Sequence, residues 1–244
     1  MGLFDAFKKN KNPEPAQAAS QTAAPAPVDL TKKVNLMKEE VKKVILTKPV
    51  LNGLKAKVAL VLDFSGSMDR LYSNGEVQRV VERTLPLAMA FDDDGSMETW
   101  IFDNGFHRLP DVTMSNLEGY VLRETTQYRM GGTYYAPVMR DVVETYKGSN
   151  LPAYVLFITD GNNSDKAETD KIIIEASKKP IFWQFVGIGG ASFNYLEQLD
   201  DMSGRYVDNA DFFAVSGMDS ITYNKLLDEF PGWLQNDKVK KMLG

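Results

Sequence analysis

Asp63-Phe64-Ser65-Gly66-Ser67 places a carboxylate and two hydroxyls within a span of a few residues. A second carboxylate stands in Asp160-Gly161-Asn162-Asn163. A further hydroxyl, Thr133, follows a glycine pair in Met130-Gly131-Gly132-Thr133-Tyr134. Oxygen donors of this kind, few of them charged, suit a hard divalent cation; Mg²⁺ in particular takes one or two carboxylates and keeps several waters. The composition narrows the choice further. The chain has no cysteine and one histidine, His107. That excludes disulfides, thiolate zinc, iron–sulfur clusters, a cysteine nucleophile and multi-histidine sites, and leaves Mg²⁺, Mn²⁺ or Ca²⁺ as the ions to expect. Asp-x-Ser-x-Ser by itself is also an ordinary turn composition, because Asp, Ser and Gly all favour turns. Its position after a strand, together with the other two loops, raises it above that.

These loops need elements to hold them. Val58–Leu62 (VALVL), Ala153–Thr159 (AYVLFIT) and Ile181–Val186 (IFWQFV) are continuous apolar runs, the pattern of strands buried on both faces. The first runs directly into Asp63 and the second into Asp160. Met97–Phe102 reads as another strand, with Phe106–Leu109 as a short edge partner across an Asn104-Gly105 turn. A further short strand is expected at Arg205–Val207. Between them, Val77, Val80, Val81, Thr84, Leu85 and Ala88 share one helical face, with Pro86 expected to kink or restart that helix. Helices are also expected at Met114–Glu124, Ala136–Tyr146, Lys166–Ser177, Phe193–Asp201 and Ser220–Glu229. Strand and helix in alternation predict an α/β fold: a doubly wound, mostly parallel sheet with helices on both faces. In such sheets ligands bind beyond the carboxyl ends of the strands, where the strand order reverses, which is where these loops would stand.

Ahead of this domain, expected over 56–230, the chain divides in two. Residues 1–28 comprise a short apolar scrap (Leu3, Phe4, Phe7) and an Ala/Pro/Gln/Ser-rich stretch with almost nothing to bury, expected to be a disordered linker. Residues 29–50 carry Leu30, Val34, Met37, Val41, Val44 and Ile45 at near-helical spacing, with Asp29 or Thr31 as cap and Pro49 as stop. They predict an amphipathic helix lying on the domain, its lysines forming a solvated face. Residues 231–244 are expected to be a tail, packed down through Trp233. A net charge of −5 offers no field to a polyanion, so no nucleic-acid partner is expected. No apolar run approaches a membrane span, and the start of the chain has neither a secretory nor a myristoylation pattern. Together with the absence of cysteine, this predicts a cytoplasmic protein.

Asp63-x-Ser65-x-Ser67, then Thr133, then Asp160, in that order, resembles the metal-ion-dependent adhesion site (MIDAS) of von Willebrand factor A domains. The flanking VALVLDFSGSM, GGTYYAPVM and LFITDG are similar to that family too, over about Ala56 to Phe230. The Leu/Lys-rich first helix, Asp92-Asp93-Asp94-Gly95 before a Trp-containing strand, and Phe230-Pro231-Gly232-Trp233-Leu234 resemble, more narrowly, the A domains of the bacterial tellurium-resistance (Ter) stress group. The resemblance implies one cation, Mg²⁺ or else Mn²⁺ or Ca²⁺, bound directly by Ser65 and Ser67, directly or through water by Asp63 and Asp160, and variably by Thr133. It implies a protein partner whose Asp or Glu carboxylate completes the shell, and a binding role without catalysis in bacterial stress or tellurium resistance. Phe64, Met68, Asp69, Arg70, Tyr134, Tyr135, Asn162 and Asn163 adjoin the ligands and are expected to form the rim that reads the partner.

Two other functions compete. Asp63 after a strand could be the nucleophile of a Mg²⁺ phosphohydrolase, but the position two residues on is Ser65 rather than a second acid, and the only lysine shortly after Asp160 is Lys166. A scaffold with a merely fold-stabilising metal is the third. Asp92-Asp93-Asp94-Gly95 lacks the rest of a calcium loop and reads as a solvated turn. Gly187-x-Gly189-Gly190 lacks a phosphate-binding Lys and reads as a strand-end turn. His107 is assigned no role, and Trp183 is expected in the core.

Overall fold

In the computed structural model, the described residues are 29–92, 95–161, 163–189 and 192–244. The expected linker, Asn162, Gly190 and the middle of the acidic turn lie outside them. The chain enters on helix α1 (Leu30–Leu46), started by Asp29, whose carboxylate accepts from the amides of Thr31 and Lys32, the satisfied orphan donors of an N-cap. There follow, in order, strand β1 (Lys57–Asp63), helices α2 (Asp69–Ser73) and α3 (Glu76–Phe91), strands β2 (Met97–Phe102) and β3 (Phe106–Val112), and helices α4 (Tyr120–Thr125) and α5 (Ala136–Tyr146). Strand β4 (Ala153–Thr159), helix α6 (Lys166–Ala176), strand β5 (Ile181–Ile188), helix α7 (Asn194–Asp200) and strand β6 (Ala210–Val215) come next. Helices α8 (Tyr223–Leu226), α9 (Phe230–Gln235) and α10 (Asp237–Leu243) close the chain.

The strands form one sheet in the order β3-β2-β1-β4-β5-β6. All neighbours are parallel except β2 and β3. From β1 the chain first winds outward through β2 to β3, then returns to the other side of β1 and winds outward again through β4, β5 and β6. The order therefore reverses between β1 and β4, and the crevice there opens between Asp63 and Asp160.

Side chains alternate across β1. Val58, Leu60 and Leu62 face one core with α1, α3, α4 and the C-terminal helices, including Val80, Leu85 and Phe230. Ala59 and Val61 face a second core with α5, α6 and α7, including Val138, Ile173 and Leu199. Period-two alternation inside an all-apolar strand is what covering both faces of a parallel sheet demands. The predicted face of α3 is buried throughout, and the helix continues through Pro86. Helix α1 buries Val34, Val41 and Val44 and is tied to α3 by a Lys33–Glu82 ion pair at 2.6 Å. Trp183 is fully buried, and His107 stacks on Tyr128 at 4.1 Å on the edge strand.

Four expected elements are corrected. The sixth strand is Ala210–Val215, not Arg205–Val207. Arg205 instead braces a loop, its guanidinium donating to the carbonyls of Met202 and Asp200. The helix expected from Met114 starts only at Tyr120, after Gly119 with φ +60°. The residues before it form a turn in which Asn116 accepts from the Thr113 amide and donates to the Asp111 carbonyl. The helix expected over Ser220–Glu229 is cut to α8. The stretch expected as a tail carries α9 and α10, where Phe230 packs against Phe91, Tyr154 and Phe182, and Trp233 stacks on Phe230.

Candidate metal centre

β1 ends in Asp63, and its carboxylate folds under the loop that follows. Asp63 is fully buried. Its Oδ1 accepts from the Ser65 amide at 2.8 Å, and its Oδ2 accepts from the Thr159 hydroxyl, at the end of β4, at 2.6 Å. Burial pushes its carboxyl up from 3.8 to about 6 despite those donors, with the nearby Asp160 adding to the rise. Above it, Ser65 Oγ lies 3.1 Å from Ser67 Oγ, and Ser67 Oγ donates to Asp160 Oδ1 at 2.9 Å. Asp160 is raised as well, by burial. Two carboxylates and two hydroxyls from the β1 and β4 loops thus meet at the switch point of the sheet.

The third loop is spliced to the first by main chain. Ser65 and Gly131 form an isolated parallel bridge, in which Gly66 N donates to Gly131 O at 3.0 Å and Gly131 N donates to Phe64 O at 3.3 Å. Thr133 stands two residues beyond this splice, and its carbonyl accepts from Ser164 N at 2.8 Å, linking the third loop to the β4 loop. The β2–β3 turn presses from outside: Asn104 Oδ1 accepts from the Gly132 amide, and Tyr134 N donates to Asp103 O at 3.0 Å. A Cβ at position 131 would stand 2.4 Å from Asn104 Oδ1, so only glycine fits there without a shift.

Of the expected rim, Ser67's neighbours Asp69 and Arg70 are exposed and Tyr134 is half-buried. Phe64, Met68, Tyr135 and Asn163 are buried, which corrects their placement as partner-facing residues. Three of them support the site's loops. Phe64 meets Tyr72 edge-on at 5.1 Å. Tyr135 donates to Thr159 Oγ1 and, at 2.6 Å, to Gly161 O, holding the Asp160 loop. Asn163 Nδ2 bonds Asp165 and Thr169. Adjacency in sequence put them near the ligands, but their side chains turn into the core rather than outward.

Several supporting residues had no signal in the sequence. Thr159 holds Asp63, Tyr72 donates to the Asp63 carbonyl at 2.9 Å, and Asn104 and Asp103 buttress the glycine pair. Asp165 caps α5, accepting from Tyr135 N at 3.0 Å and Ala136 N at 2.8 Å. Only Asn104-Gly105 was readable, and as a hairpin turn rather than as a brace.

The donor set fits a small hard cation. Oxygens on one edge of an Mg²⁺ octahedron with bonds of about 2.0–2.1 Å lie ~2.9 Å apart, and the Ser65–Ser67–Asp160 spacings are 3.1 and 2.9 Å. Those spacings also serve the hydrogen bonds described, which a cation would replace. Among the described residues no three of His, Cys, Asp and Glu cluster closely enough to hold a metal. Any cation here relies on hydroxyls and water beside two carboxylates.

Comparison with known proteins agrees with the fold. A Bacillus subtilis (strain 168) protein, described as uncharacterized protein YcbR, is 43% identical over 219 residues, covering 85% of this chain and 88% of that one. Copine-C of Dictyostelium discoideum is 35% identical over 83 residues, 32% of this chain and 15% of its own length. Among solved structures, proximal thread matrix protein 1 of the mussel byssus superposes with a TM-score of 0.53 at 16% identity, over 78% of this chain and 46% of that one. The chain thus spans less than half of that protein, and the likeness is one of fold. No described helix is long and apolar enough to cross a membrane. The vWA-TerF-like profile, described as the vWA found in the TerF C terminus, matches residues 55–243, from just before β1 to the end of α10, and the chain belongs to that family of von Willebrand A domains.

Proposed function

We propose that this chain is a divalent-cation-dependent protein-binding module, without catalytic activity, acting in the bacterial cytoplasm in stress or tellurium resistance. The observation that carries the reading is the convergence of Ser65, Ser67 and Asp160 above a buried Asp63 at the carboxyl ends of β1 and β4. Ser65 and Ser67 would contact the cation, Asp160 and Asp63 would hold it directly or through water, and Thr133 would enter or leave its shell. Mg²⁺ is the ion we favour, with Mn²⁺ and Ca²⁺ as substitutes. A cation held there, its charge only partly neutralised by hydroxyls, supplies a coordination position for an Asp or Glu carboxylate of a protein partner. Asp69, Arg70 and Tyr134 would read the surroundings of that carboxylate, since Arg and Tyr are frequent interface anchors.

The phosphohydrolase alternative fares worse. Both oxygens of Asp63 are committed, to Ser65 N and Thr159 Oγ1, and the side chain has no exposure from which to attack a phosphorus. Lys166 sits over the Tyr195 ring instead, 5.0 Å from its centre.

Calorimetric titration of Mg²⁺, Mn²⁺ and Ca²⁺ into metal-stripped chain, beside Ser67→Ala and Asp160→Ala, tests the site. One ion per chain, lost in both variants, supports the reading, and Mg²⁺-dependent capture of a partner that EDTA reverses supports the function. Partner binding that survives EDTA and Asp160→Ala would favour a scaffold with a structural metal. Phosphate release from generic substrates, abolished by Asp63→Asn, would favour the enzyme.

A further inference from the structure

A groove of about 380 Å³ flanks the cation loops, lined by Asp69 and Tyr72 of α2, Gln78 of α3, and Val121, Leu122 and Thr125 of α4. That volume is in the range of small ligand sites, about 300–1,000 Å³. Its lip is apolar and unusually bare. Leu122 is 76% exposed, the most exposed of the large hydrophobic side chains among the described residues, although its neighbour Val121 is buried. Leu122 thus projects away from the core on which its helix neighbours Tyr120 and Val121 pack.

The start of α1 lies beside this groove. Gln78 lines it and donates to Glu82 one turn along α3; Glu82 in turn receives Lys33 of α1 at 2.6 Å. Lys33 stands one turn from Leu30, where the helix begins. One turn is about 5.4 Å, so the chain preceding α1 leaves within ~15–20 Å of the groove, on the same side of α3.

That preceding chain carries Leu3, Phe4 and Phe7. Phe7 is four residues from Leu3 and three from Phe4, so all three share a face if the segment is helical, which is the anchor pattern of helix-in-groove recognition. Lys8 and Lys9 follow, complementary to Asp69 in the groove wall and to exposed Glu118 beside Gly119. The connection is long enough. From Lys8 to Asp29 there are 22 residues, and a random coil of that length has a root-mean-square span of ~25 Å, matched to the distance to be bridged; tethering at such lengths supplies effective concentrations on the order of millimolar.

We propose that Leu3–Phe7 of this chain docks in the groove between α2, α3 and α4, with its apolar face on Leu122 and Tyr72.

The absence of cysteine makes the test direct. Ala6→Cys in the full chain accepts a single nitroxide, and its relaxation effect is read on the amide spectrum of the isotope-labelled protein. Selective loss of the Tyr72–Gln78 and Gly119–Thr125 signals is expected, unchanged on dilution. The loss should be abolished by Leu3→Ser/Phe4→Ser/Phe7→Ser and, separately, by Leu122→Asp. All of these substitutions fall ahead of α1 or on an exposed side chain, and unshifted sheet amides will show that the fold is intact. Signal loss seen only when spin-labelled chain is mixed with isotope-labelled, unlabelled-spin chain would assign the groove to a second copy and overturn the proposal. So would signal loss spread evenly over α1 and its surroundings, or groove amides that the label leaves untouched.

Discussion

Asp63→Asn should make the cation-free protein more stable at neutral pH while removing its response to metal. In the folded chain the Asp63 carboxyl titrates near 6 rather than 3.8, chiefly because burial penalises the charge. At 1.36 kcal/mol per pKa unit, holding it ionised in the folded state costs ~3 kcal/mol relative to the unfolded chain. The sign follows from proton linkage: between the two values the folded state binds the extra proton, so the stability contribution is fully present below about pH 4 and is lost as pH rises through about 6. Asparagine keeps the shape and an acceptor for Ser65 N without the charge. Urea unfolding of metal-free wild type and variant should therefore agree near pH 4 and diverge by up to ~3 kcal/mol in the variant's favour by pH 8. Comparing the two proteins cancels the parallel slopes of Asp160 and of Asp200, which burial and its acidic neighbours raise to about 7. Millimolar Mg²⁺ should reverse the order, stabilising wild type by mass action on the folded state and leaving the variant where it was. A variant no more stable than wild type at pH 8 without metal would refute the burial argument. A wild type indifferent to Mg²⁺ would refute the assignment of Asp63 to a cation site.

Three further outcomes are expected. Tyr135→Phe leaves the Gly161 carbonyl without its buried donor and should cost ~1–3 kcal/mol, visible in urea unfolding, with weaker Mg²⁺ binding by calorimetry because the Asp160 loop loses its tie; unchanged metal affinity would mean that the loop is held elsewhere. Gly131→Ala drives a methyl to within 2.4 Å of Asn104 Oδ1 and should lower stability by ~1–3 kcal/mol, the usual range for overpacking, whereas Gly161→Ala, with nothing within 4 Å, serves as the tolerant control in the same melts. Asp165→Ala strips the cap from α5 and should cost ~1 kcal/mol, the typical value for an N-cap, read as a lowered midpoint in thermal unfolding; an unmoved midpoint would show that the two amides find other acceptors.

The strands around the site were legible because burial on both faces leaves an unbroken apolar run, and the run itself points at the residue that follows it. Asp63 and Asp160 could be placed at strand ends on that ground. β6 escaped because it is an edge strand: Phe212 and Phe213 are only half-buried and Asp211 interrupts them, so no such run forms. The opening of α4 escaped because Asn116 and Gly119 act through hydrogen bonding and a left-handed backbone rather than periodicity. Within the site, the types of the donors were readable but the inward turn of Phe64, Met68, Tyr135 and Asn163 was not, because adjacency along a loop says nothing about which side of it faces the core. The bracing roles of Thr159 and Asn104 were invisible for a related reason: their partners, Asp63 and Gly132, are far away in the chain.

The bridge between Ser65 and Gly131 has an evolutionary consequence. The cradle is fastened by main-chain bonds, by buried groups such as Thr159 and Tyr135, and from outside by Asn104. The exposed Asp69 and Arg70 contribute nothing to that fastening, so they can change without loosening it. If the proposed function holds, relatives sharing this cradle are free to diverge in what they recognise while retaining how they would hold the ion, and a new specificity can arise by substitutions at the surface alone.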